Sequence, residues 1–263
     1  MKRIITFTSD FGLDDPYVGI VHGVIASIDP SLHVIDLTHG IPPHNIAAGA
    51  IALFTSIPYF PQGTVHLAVV DPGVGTTRRA VCIQTASGYF VGPDNGLFSL
   101  VAPVDRQLGC WEISQSPVRR TPSATFHGRD IFAPVGAHLA AGRPPEELGT
   151  ATTPALPRTE LTIEPMVFGT HTGRILVVDH FGNMVSNCCI TSEWLTAMEH
   201  GTISAWLEGQ PLRVVRTYGD IAPGEVAVLA GSSGLLEVAA HHRSAAALTG
   251  LSVGCHLRIA VNG

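Results

Sequence analysis

Through the first half of the chain, short apolar runs alternate with segments whose apolar residues recur at helical spacing. Arg3–Thr8, His33–Leu37, Thr64–Val70, Ala80–Gln84 and Tyr89–Gly92 read as strands. Tyr17–Ile28, the Ala-rich Asn45–Ile57 and Asp130–Ala141 read as helices. Strand and helix in alternation predict an α/β domain with a mostly parallel central sheet and helices on its faces. The rhythm breaks over residues 150–167, where Thr and Pro dominate, as in a linker or an extended crossover. Beyond it, Arg174–Val178, Ile203–Leu207, Leu212–Val215, Val226–Ala230, Leu235–Val238 and His256–Val261 are short runs divided by Gly, Asp and Asn. That spacing predicts an antiparallel all-β barrel or sandwich. The expected organisation is an α/β domain over residues 1–160 and an all-β domain over 168–263.

Composition narrows the class. Of 263 residues 45% are hydrophobic and only 14% charged, which excludes a disordered chain. A net charge of -6 argues against a nucleic-acid partner, which would meet a clustered basic face. No apolar stretch approaches the roughly 18 residues of a membrane span, and the N-terminus does not read as a signal peptide. Five cysteines without CxxC pairing fit reduced, buried thiols and a cytoplasmic protein, and no metal site is expected.

Two strand-like runs end in an aspartate followed by glycine: Thr8-Ser9-Asp10-Phe11-Gly12 and Val70-Asp71-Pro72-Gly73-Val74-Gly75. Ligands of parallel α/β sheets bind outside the carboxyl ends of the strands. A carboxylate there can grip a hydroxyl pair or orient a water; it can equally cap a helix or close a turn. No phosphate-binding GxGxxG or GxxxxGK[ST] loop and no GxSxG or HExxH motif is present. His127 precedes a helix-like segment and suits a base, a donor or a cap. In the second half, Asp179-His180-Phe181-Gly182-Asn183 offers a ring for stacking and an amide for a purine edge, or simply a β-turn.

Together TSDFG, VVDPGVGTTRR, VGPDNGLFS, TFHGRDIFAPVGAHLA, DHFGNMVSN and GSSGLLEVA resemble, along essentially the whole chain, the S-adenosylmethionine (SAM) hydroxide adenosyltransferases, relatives of the fluorinases and chlorinases. The resemblance implies an N-terminal α/β domain, a C-terminal β-barrel, and a homotrimer with active sites between one subunit's first domain and a neighbour's second. It implies SAM as substrate, with no further cofactor, attacked by water or hydroxide at ribose C5′ to give adenosine and L-methionine. By position, Asp10 matches the ribose-binding carboxylate, and Asp71, Arg78 and His127 match the three side chains of the hydrolase branch. Phe126 matches an aromatic lining residue. Asp179 matches a contact to the methionine amino group, Phe181 and Asn183 the adenine site, and Ser232 and Ser233 the pair gripping the methionine carboxylate. The halogenases carry tyrosines at the positions of Asp71 and His127, and the fluorinase a serine at that of Gly128. His241-His242-Arg243 departs from the family's usual Asn and small residues, and His44 stands where the fluorinase has a tryptophan. A chlorinase-type halogenase and a non-catalytic SAM or adenosine sensor are the competing readings. Either Asp71 or His127 can take the proton on this reading.

Overall fold

The computed structural model describes residues 3–113, 121–155 and 161–262. The chain divides into two units, Met1–Leu161 and Thr162–Gly263.

The first unit contains β1 (Ile4–Ser9), α1 (Tyr17–Ile28), β2 (His33–Thr38), α2 (Ile46–Ser56), β3 (Thr64–Val69), β4 (Ala80–Gln84), β5 (Gly88–Pro93), β6 (Gly109–Glu112), α3 (Ala133–Ala140) and β7 (Thr150–Ala151). They form one seven-stranded sheet in the order β2-β1-β3-β5-β4-β6-β7. Strand β3 is buried along its whole length, as its unbroken apolar sequence requires. One face of the sheet packs Ile5, Phe7, Val65 and Leu67 against Val21 and Ile25 of α1 and Val135 and Leu139 of α3. The other packs Ala68, Val70 and Phe90 against Ile46 and Leu53 of α2.

The sheet is mixed rather than mostly parallel. β2, β1, β3 and β5 run parallel, whereas β4, β6 and β7 join through antiparallel pairings. The cause is loop length: residues 85–87 separate β4 from β5, with Thr85 N–H donating to the Gly88 carbonyl. A parallel return needs a crossover of a dozen or more residues.

The parallel half sets the site. β1 and β3 pair in register, with Ser9 opposite Val69, so Asp10 and Asp71 leave the same edge of the sheet one residue apart in height. The segment read as one helix over Asp130–Ala141 begins earlier, as a π-helical turn over Gly128–Phe132 that leads into α3. Such turns often sit at functional positions.

The second unit contains β8 (Glu164–Pro165), β9 (Gly169–Val178), β10 (Met184–Cys189), α4 (Ser192–His200), β11 (Ile203–Leu207), β12 (Gln210–Val214), β13 (Val226–Ala230), β14 (Leu235–Ala240), α5 (Ala245–Thr249) and β15 (His256–Val261). Its sheet runs β14-β13-β12-β11-β15-β9-β10-β8, and β14 also pairs with β10, closing a seven-stranded barrel. Met166, Ile175, Trp194, Val228, Leu236 and Ile259 fill the core. The barrel is not wholly antiparallel: β12 and β13 pair in parallel, and residues 215–225 between them are long enough to carry the chain back. Strand β10 and helices α4 and α5 have no counterpart among the elements read from the sequence. α4 is short, but Thr191 accepts from Trp194 N–H at its start and Gly201 closes it in the left-handed region at φ 68°. The segment 150–167 contributes β7 and β8; residues 156–160 of it lie outside the described residues.

Candidate active site

A cavity of about 270 Å³ opens at the carboxyl edge of the parallel strands in the first unit. Asp10, Tyr17, His44, Asp71, Phe126, His127 and Gly128 are among the residues that line it. Asp10 is held by the backbone of the loop between β2 and α2, since His44 N–H donates to Asp10 Oδ2 at 2.8 Å. His44 itself adopts φ 64°, a left-handed conformation uncommon for a residue with a Cβ.

Asp71, Arg78 and His127 come together. Arg78 Nε donates to Asp71 Oδ1 at 2.9 Å and to Oδ2 at 3.1 Å, and Arg78 Nη2 also donates to Asp71 Oδ2. The same Nη2 donates to His127 Nδ1 at 2.8 Å. Asp71 and His127 face the cavity, and Arg78 bridges them. The meeting of two loops needs a small residue: a Cβ on Gly75, at φ +76°, would lie 2.4 Å from the Ala124 carbonyl oxygen. The second loop is tied down by Asp130, whose Oδ2 accepts from Ser123 N–H at 2.8 Å. Asn95 steadies the first, with Nδ2 donating to the Val70 carbonyl at 2.8 Å.

This geometry assigns the histidine tautomer. A guanidinium only donates, so the Nδ1 facing it must accept, and the ring's one proton sits on Nε2. Burial, followed by the Arg78 charge, pushes the His127 pKa below its ordinary value of about 6.5; Asp71 and Asp130 oppose that shift. His127 is therefore neutral at pH 7.

Aromatic side chains build the adjoining wall. Phe126 meets Phe11 edge-on at 5.8 Å and Tyr17 at 5.3 Å. Gly128 lies beneath them: a Cβ there would approach the Phe11 ring to 3.1 Å, leaving little room for a side chain.

A second, larger cavity of about 750 Å³ lies wholly in the second unit. Asp179, Phe181, Asn183, Ser232, His241 and Arg243 are among its lining residues. The loop between β9 and β10 is organised by Asp179, whose Oδ1 accepts from Phe181 N–H at 2.9 Å and Asn183 N–H at 2.8 Å. Asn183 Nδ2 donates to Asp179 Oδ2 at 2.9 Å, and the amide oxygen has no hydrogen bond among the described residues. Phe181 is 75% exposed and presents its ring to the cavity. The turn closes against α5, because a Cβ on Gly182 would strike Ser244 Oγ at 2.1 Å.

Ser232 lines the cavity, while Ser233 does not; the Ser233 hydroxyl is enclosed and has no hydrogen-bond partner among the described residues. His241-His242-Arg243 forms a tight turn bordering the cavity, with His242 at φ 54° and its ring 4.1 Å from that of His241. Tyr17, Tyr218 and Glu237 are among the lining residues that escaped the sequence reading. Tyr17 carried no signal beyond a helix start. Glu237 did, being a lone charge within the otherwise apolar run Leu235–Ala240. Among the described residues no group of three or more His, Cys, Asp or Glu could hold a metal, and no helix is long and apolar enough to cross a membrane.

Comparison with known proteins adds a family. Residues 5–149 match the SAM hydroxide adenosyltransferase N-terminal domain, and residues 173–258 the C-terminal domain. A protein from Salinispora tropica named (R)-S-adenosyl-L-methionine hydrolase is 42% identical, covering 97% of each chain. One of the same name from Thermus thermophilus is 41% identical, covering 98% of this chain and 99% of its own. The crystal structure of an uncharacterized conserved protein from Thermotoga maritima superposes with a TM-score of 0.86 at 33% identity, covering 97% of this chain and 99% of that one. A protein named fluorinase from Nocardia brasiliensis is more distant, at 28% identity over 99% of this chain and 97% of its own.

The tautomer assignment has a measurable consequence. Arg78→Ala removes the second-largest cause of the His127 shift, so the imidazole pKa should rise, as followed by NMR titration of the ring protons. An unchanged titration would mean that Arg78 does not act on His127.

Proposed function

The chain belongs to the SAM hydroxide adenosyltransferase family, and we propose that it hydrolyses S-adenosyl-L-methionine to adenosine and L-methionine. The observation that carries this reading is the Asp71–Arg78–His127 arrangement, a carboxylate and a neutral imidazole facing one cavity across a shared guanidinium. The names of the 42% and 41% identical relatives agree with it and specify the R configuration at sulfur. We read the R epimer as this chain's substrate, which spares the other epimer from hydrolysis.

The roles follow from what each group can donate or accept. Asp10, steadied by His44 N–H, grips the ribose hydroxyls, and Phe126 lines the same cavity. A water held between Asp71 and His127 donates one proton to the Asp71 carboxylate and accepts a hydrogen bond from His127 Nε2–H. Its oxygen attacks C5′, the C5′–S bond breaks with its electron pair passing to sulfur, and methionine leaves neutral. The water's proton goes to Asp71 and on to solvent. His127 is not the base in this scheme, since its Nδ1 lone pair is spent on Arg78. Arg78 stabilises the developing hydroxide beside Asp71. A carboxylate bordering the cavity repels chloride, which favours water over halide. Alignment of water, C5′ and sulfur supplies much of the acceleration, since well-oriented reactions gain roughly 7–11 kcal/mol.

In the second unit, Phe181 stacks on adenine and the Asn183 amide oxygen accepts from its edge. Asp179 faces the methionine amino group, and Ser232, which lines the cavity, grips the carboxylate. The homotrimer that the sequence motifs imply, with each active site drawing on two subunits, is part of this proposal. Five free cysteines, three of them buried, accord with a reducing compartment, and we assign the chain to the cytoplasm.

Three outcomes are expected. Incubation in oxygen-18 water should place the label in adenosine, with the R epimer of SAM consumed and the S epimer left; unlabelled adenosine, or none, sinks the reading. Asp71→Asn and His127→Ala should each lower kcat by at least about a hundredfold in folded protein, the scale of a group handling a proton. Light scattering should give a mass near three times 27.7 kDa, and a monomer would overturn the assembly.

A further inference from the structure

Beneath Asp10 lies a buried polar group that the reaction scheme does not use. β1 and β2 slip by one residue near their carboxyl ends: Phe7 pairs with Asp36 and Thr8 with Thr38, which leaves Leu37 over. Bulges of this kind re-aim the side chains beyond them. Past the slip, His39 follows Thr38 as Ser9 follows Thr8, and the two side chains meet, with Ser9 Oγ 2.8 Å from His39 Nδ1. Both residues are buried, Ser9 completely and His39 to all but 4%. The Ser9 hydroxyl accepts from Phe11 N–H at 3.3 Å, and the imidazole is the acceptor for its own proton. Ser9 therefore donates to Nδ1, and the ring's proton sits on Nε2. On that side Asp36 Oδ1 stands 3.1 Å away, near enough for attraction but outside hydrogen-bond alignment.

Serine, histidine and aspartate in series have the composition of a nucleophile, its base and an orienting acid. Here they cannot serve as one, because neither Ser9 nor His39 lines the cavity. What they do reach is the residue between them and the substrate. His39 ties the loop after β1 at both ends, through Ser9 Oγ and through its own carbonyl, which accepts from Gly12 N–H at 2.9 Å. Asp10 sits between those ties and takes a third on its side chain, from His44 N–H. The Phe7 ring, edge-on to the imidazole at 4.6 Å, closes the remaining side. Two neighbouring hydroxyls can both donate to one carboxylate only while its plane faces both of them. A swing of the loop carrying Asp10 would lose one of the pair.

We propose that His39 is a positioning residue for ribose recognition: bonded to Ser9 and Gly12, it fixes Asp10 in the orientation that reads a free 2′,3′-diol. This rests on the reading of Asp10 as the ribose grip. The link runs through Nδ1, since Nε2 has no aligned partner among the described residues. His39→Asn keeps a hydrogen-bonding atom near the place of Nδ1 and removes the rest of the ring, whereas His39→Ala and Ser9→Ala each remove the link.

The test compares adenosine with 2′,3′-dideoxyadenosine, which lacks the diol, by calorimetry. Wild type should prefer adenosine at least about tenfold, in the range for hydrogen bonds to a charged group, and Asp10→Asn should lose most of that preference. Ser9→Ala and His39→Ala should each cut the preference at least about threefold, and His39→Asn should hold it within about twofold of wild type. A purely structural role would weaken both ligands alike, so an unchanged preference in the alanine variants overturns the proposal. So does a His39→Asn variant as impaired as His39→Ala. If neither alanine variant folds, wild type decides: adenosine should shift the His39 ring signals in NMR and the dideoxy compound should not, and equal shifts overturn the proposal. A preference that survives Asp10→Asn sinks the reading of Asp10 itself and this proposal with it. One that is lost in Asp10→Asn yet kept in Ser9→Ala and His39→Ala sinks only the role of His39.

Discussion

A guanidinium donates and never accepts, and that restriction orders the polar edge of the first unit. Arg78 meets Asp71 through two nitrogens and His127 through one. Because it can only donate, it settles the imidazole tautomer, holds the carboxylate in one orientation and keeps the two cavity-facing groups at a constant separation. The remaining features serve that bridge. Parallel register between β1 and β3 brings Asp10 and Asp71 to one edge, a bare Gly75 lets two loops touch, and Asp130 anchors the loop that carries His127. With one proton on Nε2, the imidazole is a donor to the cavity and the carboxylate an acceptor, which is the polarity a water needs to be held and deprotonated.

The second unit obeys a different constraint, the supply of donors to buried carboxylates. Asp179 is satisfied by its own loop, and the loop's shape depends on that satisfaction. Glu237 has a phenol and little more. Two acids on one cavity are therefore held differently, Asp179 by its own loop and Glu237 by Tyr218.

Much of the fold was legible because burial and spacing are local properties of the chain. β3 is apolar without a break since both faces are covered, and the helices over Tyr17–Ile28 and Ile46–Ser56 fall where helical spacing puts them. Strand direction was not legible to the same degree. Alternation of strand and helix predicts a parallel sheet, but the hairpin at residues 85–87 turns the far half antiparallel, and the connection over residues 215–225 makes one barrel pairing parallel. Both outcomes are set by loop length and by what else lies in the sheet. The short α4 depends on burying Trp194 and Ala197 in the barrel core, a contact no local pattern reveals.

By itself the sequence determined the residue chemistry at the strand ends, the division into an α/β half and a β-rich half, and the ordered motifs that identify the family. Those are matters of residue type and order along one chain. Only the tertiary structure decided that Arg78 bridges Asp71 and His127, that the Ser233 hydroxyl is enclosed while Ser232 faces the cavity, and that Glu237 borders it with a single partner. A hydrogen bond between residues 49 positions apart, or a carboxylate short of donors, exists only once folding has fixed which groups meet and which are left without water.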